Sequence, residues 1–247
     1  LAQSQGQAVI MKNHGALCFG KDYDEAFLIA RQLEDACREF IVDSYLKLSG
    51  RESFDPVEMI NFALFGETGN RLKGNELYDK PYCSSRRTDH GFILYDEKGR
   101  ETGITSNNAR LSEEAILHDT IYKNHKGINH IVLVSTPETL AISCSDIKFK
   151  ALLDDFAQIV GPHAPTVDSD PGRVAAALKK SPVVFIRGRG ALCSGVDHDE
   201  ATAAGMVTQK ACQAYIGACL FGRVRPINPL ECRLMHFVYQ KRYSRKK

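Results

Sequence analysis

Apolar positions along the chain keep two rhythms: short β-branched runs, and longer stretches spaced three and four residues apart. Residues 8–11 and 16–19 are short apolar runs around a glycine-bearing turn, which predicts paired strands. After Gly20, Asp22 and Glu25 have the spacing of a helix cap. Ala26, Ile29, Ala30, Leu33, Ala36, Cys37, Phe40 and Ile41 then mark one face of a helix that stops at Ser49-Gly50. A second helix is predicted over 56–65, and 66–89 reads as a polar, glycine-rich linker. Farther on the pattern predicts a strand at 91–95 with a turn at 96–99, a helix over 112–124, and strands at 131–134 and 139–142. Helices are predicted over 147–160 and 171–179, strands at 182–186 and 191–194, and a last helix after Pro229. Such alternation predicts an α/β domain.

The chain also repeats itself. Val9 to Ala26 returns as Val184 to Ala201 at a constant offset of 175, with Gly15, Ala16, Leu17, Cys18, Gly20, Asp22, Asp24, Glu25 and Ala26 identical to their partners. Ala36-Cys37 still matches Ala211-Cys212 at the same offset. Solenoid repeats have periods of roughly 20–50 residues, so this spacing predicts a duplicated domain. The first copy lies nine residues from the start, whereas the second follows more than a hundred. Residues 1–50 are therefore expected to be the end of a first domain, 51–89 a helix and linker, and 90–247 a second domain. The opening Leu1-Ala2-Gln3-Ser4 has no Met, basic region or apolar region, so Leu1 is not expected to be the native start.

Composition narrows the classes. At 43% hydrophobic and 25% charged the chain is ordinary globular material, and its net charge of +2 predicts no nucleic-acid partner. Its apolar runs fall far short of the ~20 residues of a membrane span, so no membrane partner is expected. Eight Cys without a Cys-x-x-Cys pair predict buried thiols, Cys18, Cys37, Cys193 and Cys212 among them, and a reducing, cytoplasmic setting.

Met11-Lys12-Asn13-His14-Gly15-Ala16-Leu17, followed by Gly and a capped helix, resembles the C-terminal signature of the class II aldolase/adducin family. The segment 111–122 agrees in the spacing of Glu114, His118 and Tyr122, and Asp96 to Gly99 resembles the turn before that helix. The resemblance implies a layered α/β/α domain with a central, largely antiparallel sheet. It also implies zinc or another divalent metal held by three His, with a Glu as general acid/base, acting on a small sugar phosphate or hydroxy-carbonyl compound. Glu114 stands in the acid/base position and His14 in that of the third metal ligand.

The second copy departs from this pattern. Where the family's strand ends His-x-His-Pro, this chain reads Val134-Ser135-Thr136-Pro137, and Arg189 stands opposite His14 in the repeat. Valine has no lone pair, one threonine hydroxyl is a poor ligand, and a guanidinium stays cationic. No cofactor is therefore expected in the second domain. Arg187 and Arg189 offer an anion site, with an ion pair to a neighbouring carboxylate the stronger expectation. His118 is expected to hydrogen-bond on its helix face, and His125 and His130 to be solvated. Two functions stay open: a metal-dependent carbon–carbon lyase or epimerase whose catalysis sits in the first copy, or a non-catalytic assembly module on the same scaffold. The apolar stripe of the first long helix predicts a homo-oligomer.

Overall fold

Polar caps decide where the helices begin. In the computed structural model, which describes residues 6–66, 84–96, 98–105, 112–222 and 224–242, Asp22 caps α1 (Tyr23–Ser49) and Asp55 caps α2 (Pro56–Phe65). Ser112 caps α3 (Glu113–Asn124), Thr136 caps α4 (Pro137–Cys144) and Asp197 caps α7 (His198–Cys219). In each case a side-chain oxygen accepts from the amide three residues on, which satisfies one of the free N–H groups of the first turn. Asp170 does the same for α6 (Pro171–Ala177), while α5 (Asp154–Ile159) starts without a side-chain cap. The last helix, α8, is Pro229–Arg242.

The strands divide into two sheets. β1 (Ala8–Met11) and β2 (Gly15–Cys18) form an antiparallel hairpin of their own. The other seven, β3 (Ser84–Thr88), β4 (Gly91–Tyr95), β5 (Glu101–Thr105), β6 (His130–Val134), β7 (Thr166–Val167), β8 (Val183–Ile186) and β9 (Gly190–Gly195), run in the order β5-β4-β3-β6-β9-β8-β7. Only the edge pair β7–β8 is parallel.

Strand alternation sorts the core into layers. Val183, Phe185, Ala191 and Cys193 point to the face covered by α2, α4, α5, α7 and α8. Val184, Ile186, Leu192, Ile131 and Leu133 point to the other face, covered by α3 and α6. The central sheet is thus largely antiparallel and layered between helices.

Several local expectations need correction. Residues 139–142 are helical, because Pro137 and the Thr136 cap start a helix there; a four-residue apolar run does not distinguish strand from helix. Of 147–160 only Asp154–Ile159 is helical. Before it, Phe149 and Ala151 are buried while Lys148 and Lys150 are exposed, a period of two, and Ala151 N donates to Pro162 O at 3.1 Å. The strands β3, β5 and β7 were not legible. Cys37 is exposed although its repeat partner Cys212 is buried. His125 is not simply solvated, since its Nε2 lies 2.7 Å from the Ala175 carbonyl, and His130 is half-buried. No helix among the described residues is long and apolar enough to cross a membrane.

Candidate functional site

Three segments converge at one end of the sheet. β6 pairs with β9 as far as Val134 opposite Ala191, which carries residues 134–136 alongside the β8–β9 turn. That turn needs two left-handed positions, filled by Gly188 at φ 71° and Gly190 at φ 100°. It is closed by Arg189 N donating to Ile186 O at 2.9 Å, and tied down by Ser135 Oγ donating to Arg189 O at 2.7 Å. The Arg189 side chain then reaches the first turn of α3, where Nη2 donates to Glu114 Oε1 at 3.0 Å. Both side chains are largely withdrawn from solvent, with 17% and 21% exposed.

One helical turn after Glu114, His118 is fully buried. Its Nδ1 lies 2.6 Å from Ser85 Oγ, which in turn lies 2.7 Å from Tyr122 OH. Burial, with the nearby Arg189 charge as the second cause, pushes the His118 pKa down to about 3, so the imidazole is neutral. Burial likewise pushes the Tyr122 phenol up to about 12. Arg87 closes the cluster, with its guanidinium 4.6 Å from the Tyr122 ring centre and Nη2 donating to the Tyr122 and His125 carbonyls. Ser85 and Arg87 escaped the sequence reading because β3, Ser-Ser-Arg-Arg-Thr, has no apolar alternation. Its one signal is the Asp89-His90-Gly91 turn into an apolar strand.

The residues present do not fit a three-imidazole metal site. Thr136 uses its hydroxyl to cap α4, Val134 offers a methyl group, and the Arg189 cation sits on Glu114. Among the described residues no group of three or more His, Cys, Asp or Glu could hold a metal ion.

The remaining candidates lie elsewhere. His14 sits at the tip of the β1–β2 hairpin, where Asn13 takes φ 67°, and its Nδ1 is 2.7 Å from Asp154 Oδ2 at the start of α5. Arg187 leaves the end of β8 toward Asp146 and Asp168, at 3.5 and 3.6 Å. The two arginines thus reach toward different carboxylates. Of the linker expected at 66–89, residues 67–83 lie outside the described residues.

A family profile described as Class II Aldolase and Adducin N-terminal domain matches residues 1–41 and 75–216. Among solved structures, an L-fuculose 1-phosphate aldolase is similar over 76% of this chain and 98% of its own, with 16% identity and a TM-score of 0.52. The enzyme of that name from Thermus thermophilus is similar over 68% and 100%, with 19% identity and a TM-score of 0.51. That from Glaciozyma antarctica gives 76% and 86%, 19% and 0.50. At such identities the likeness shows the fold. A search of curated proteins finds no match.

Proposed function

Because this chain belongs to the class II aldolase and adducin family, we propose that residues 84–242 are a non-catalytic copy of the fold, with an arginine cation standing where its relatives place a metal. The observation that carries this reading is the 3.0 Å pair between Arg189 and Glu114. The Glu114 carboxylate is occupied by a fixed guanidinium, and a guanidinium offers no vacant coordination position to a substrate oxygen. The domain then serves folding and assembly. Elemental analysis of the purified chain tests this. The expected result is a metal content unchanged by Glu114→Gln; one zinc per chain, lost in that variant, would overturn the reading.

A second reading concerns the polypeptide as a whole, and His14 favours it. The hairpin β1–β2 and α1 form a second copy of the β8–β9–α7 unit in this reading, one that keeps the Asn-His-Gly turn of a metal ligand. The two copies fall in separate matched stretches of the family profile. Such a parent would act as a divalent-metal lyase or epimerase on a small sugar phosphate or hydroxy-carbonyl compound. Release of the aldehyde from L-fuculose 1-phosphate, abolished by His14→Ala, would support it.

Assembly follows from surface. Tyr23, Phe27, Leu28 and Phe40 of α1 are more than half exposed, and burying one large apolar side chain is worth ~1.5–3 kcal/mol. Of the predicted stripe, Phe40 and Cys37 are exposed while Ile29, Leu33 and Ile41 are half-buried. A homo-oligomer in which a second copy covers the exposed side chains of α1 is the expected state, in a reducing, cytoplasmic compartment that suits the free thiols. Light scattering that finds one chain per particle at every concentration would remove the oligomer.

A further inference from the structure

A cavity of about 380 Å³ opens beside Arg187, walled by residues 145–150 and 163–166, and neither Glu114 nor Arg189 lines it. The extended stretch that buries Phe149 turns Lys148 and Lys150 to its opposite side, because side chains alternate along an extended chain. Its bridge to His163 fixes that stretch against the second wall. Lys148, Lys150 and Arg187 stand against one lining carboxylate, Asp146, so cations outnumber carboxylates in the lining.

These cations have charge to spare. Among the described residues neither lysine has an ion-pair partner. The contacts of Arg187 to Asp146 and Asp168 are long, and both carboxylates are largely exposed, so each is worth little in water. Asp168 is also shared with Arg173 at 2.9 Å.

We infer that this cavity binds the phosphate group of a small phosphorylated organic molecule. A guanidinium with two ammonium groups suits a dianion in charge. The volume lies in the ~300–1,000 Å³ range of small-molecule sites, more than a bare anion fills, and Ile147 and Pro165 give an apolar wall for a carbon skeleton.

Calorimetric titration of the purified chain at fixed ionic strength, with glycerol 3-phosphate and inorganic phosphate as probes, tests it. Both should bind, the ester more tightly. Arg187→Gln should weaken both by about tenfold or more, while Lys179→Gln, which lies outside this cavity, should leave them unchanged. Should Arg187→Gln not fold, the Lys148→Gln/Lys150→Gln variant, which alters two exposed lysines, carries the same expectation. The inference is overturned if neither probe binds, or if both folded variants bind like the parent. Binding of phosphate without the ester, or of succinate as tightly as the ester, overturns it as well.

Discussion

Residues 8–49 and 183–219 repeat one motif in two surroundings. The local geometry agrees closely: Asn13 and Gly188 take φ of 67° and 71°, Gly15 and Gly190 take 104° and 100°, and the caps Asp22 and Asp197 take −146° and −145°. Each capping box closes in the same way, with Glu25 accepting from Lys21 N and Glu200 accepting from Val196 N. Burial does not agree. Ile10 is 71% exposed where Phe185 is wholly buried, and Leu17 is 41% exposed where Leu192 is wholly buried. β9 has β6 and β8 on its two sides, whereas β2 has β1 alone. Turn and cap are thus written in the local sequence, while burial is a property of the neighbours.

The sharpest way to break this comparison is to truncate equivalent core positions. Phe185→Ala should cost ~3–5 kcal/mol in chemical denaturation, as large-to-small changes in packed cores do. Ile10→Ala should stay within ~0.5 kcal/mol, the usual range for exposed sites. A cost for Ile10→Ala near that of Phe185→Ala would mean that the first hairpin is covered in solution. A dependence of that cost on protein concentration would name a second copy as the cover.

The next effect lies at the two turn tips, where His14 and Arg189 occupy equivalent positions and each meets a carboxylate. Arg189→Leu leaves Glu114 poorly solvated and unpaired, and should cost ~2 kcal/mol, below the ~3–5 kcal/mol of a fully buried pair because about a fifth of each side chain reaches water. The double variant Arg189→Leu/Glu114→Gln should recover most of that loss in the urea midpoint. An Arg189→Leu protein as stable as the parent would show that the pair holds nothing in place.

This contrast also explains what was legible in the sequence. Caps, turns and long amphipathic helices were readable, since Asp22, Ser112 and Gly50 act within one turn of their own position. So was an ion pair of Arg189 with a carboxylate, once the repeat had set Arg189 against His14. Three features were not readable for physical reasons. β3 carries only polar residues, and its place between β4 and β6 is set by partners far away in sequence. Residues 139–142 bury every side chain, which erases the period that separates strand from helix. The exposure of Cys37, which shares the Ala-Cys pair with the buried Cys212, depends on elements that no local pattern encodes.

A further effect should appear with pH. Unfolded His118 protonates near its ordinary value of 6.5, whereas in the fold it stays neutral down to about 3. Between those values the unfolded chain binds more protons, so stability rises with pH and is lost as pH falls from 6.5 toward 3. The slope from this one group is at most ~1.4 kcal/mol per pH unit. His118→Gln should flatten the dependence of stability on pH over that window. Arg189→Leu should narrow that window at its acid end, since the guanidinium adds to the burial of His118 in disfavouring its charge. An unchanged slope in His118→Gln would assign the acid sensitivity to other groups.

The smallest expected effect is at the tip of the first hairpin. His14 is 56% exposed, and its contact to Asp154 at 2.7 Å is flanked by one backbone bond, Asp154 N donating to Asn13 O at 3.2 Å. Water competes for both partners, and exposed pairs of this kind measure ~0.2–1 kcal/mol in double-mutant cycles. The cycle His14→Ala, Asp154→Ala should therefore return a coupling in that range, below the coupling between Arg189 and Glu114. Coupling beyond ~2 kcal/mol would mean that the tip is desolvated, and the first copy would then be covered like the second. A coupling near zero would instead leave the hairpin held by α1 alone, through Tyr45 packed against Phe54 and Phe62 and through Phe40 stacked on Phe221. In that case Tyr45→Ala, which empties the one buried position of α1, should release hairpin and helix together. Hydrogen exchange would then read this as lost protection over 8–49 with 183–219 unchanged.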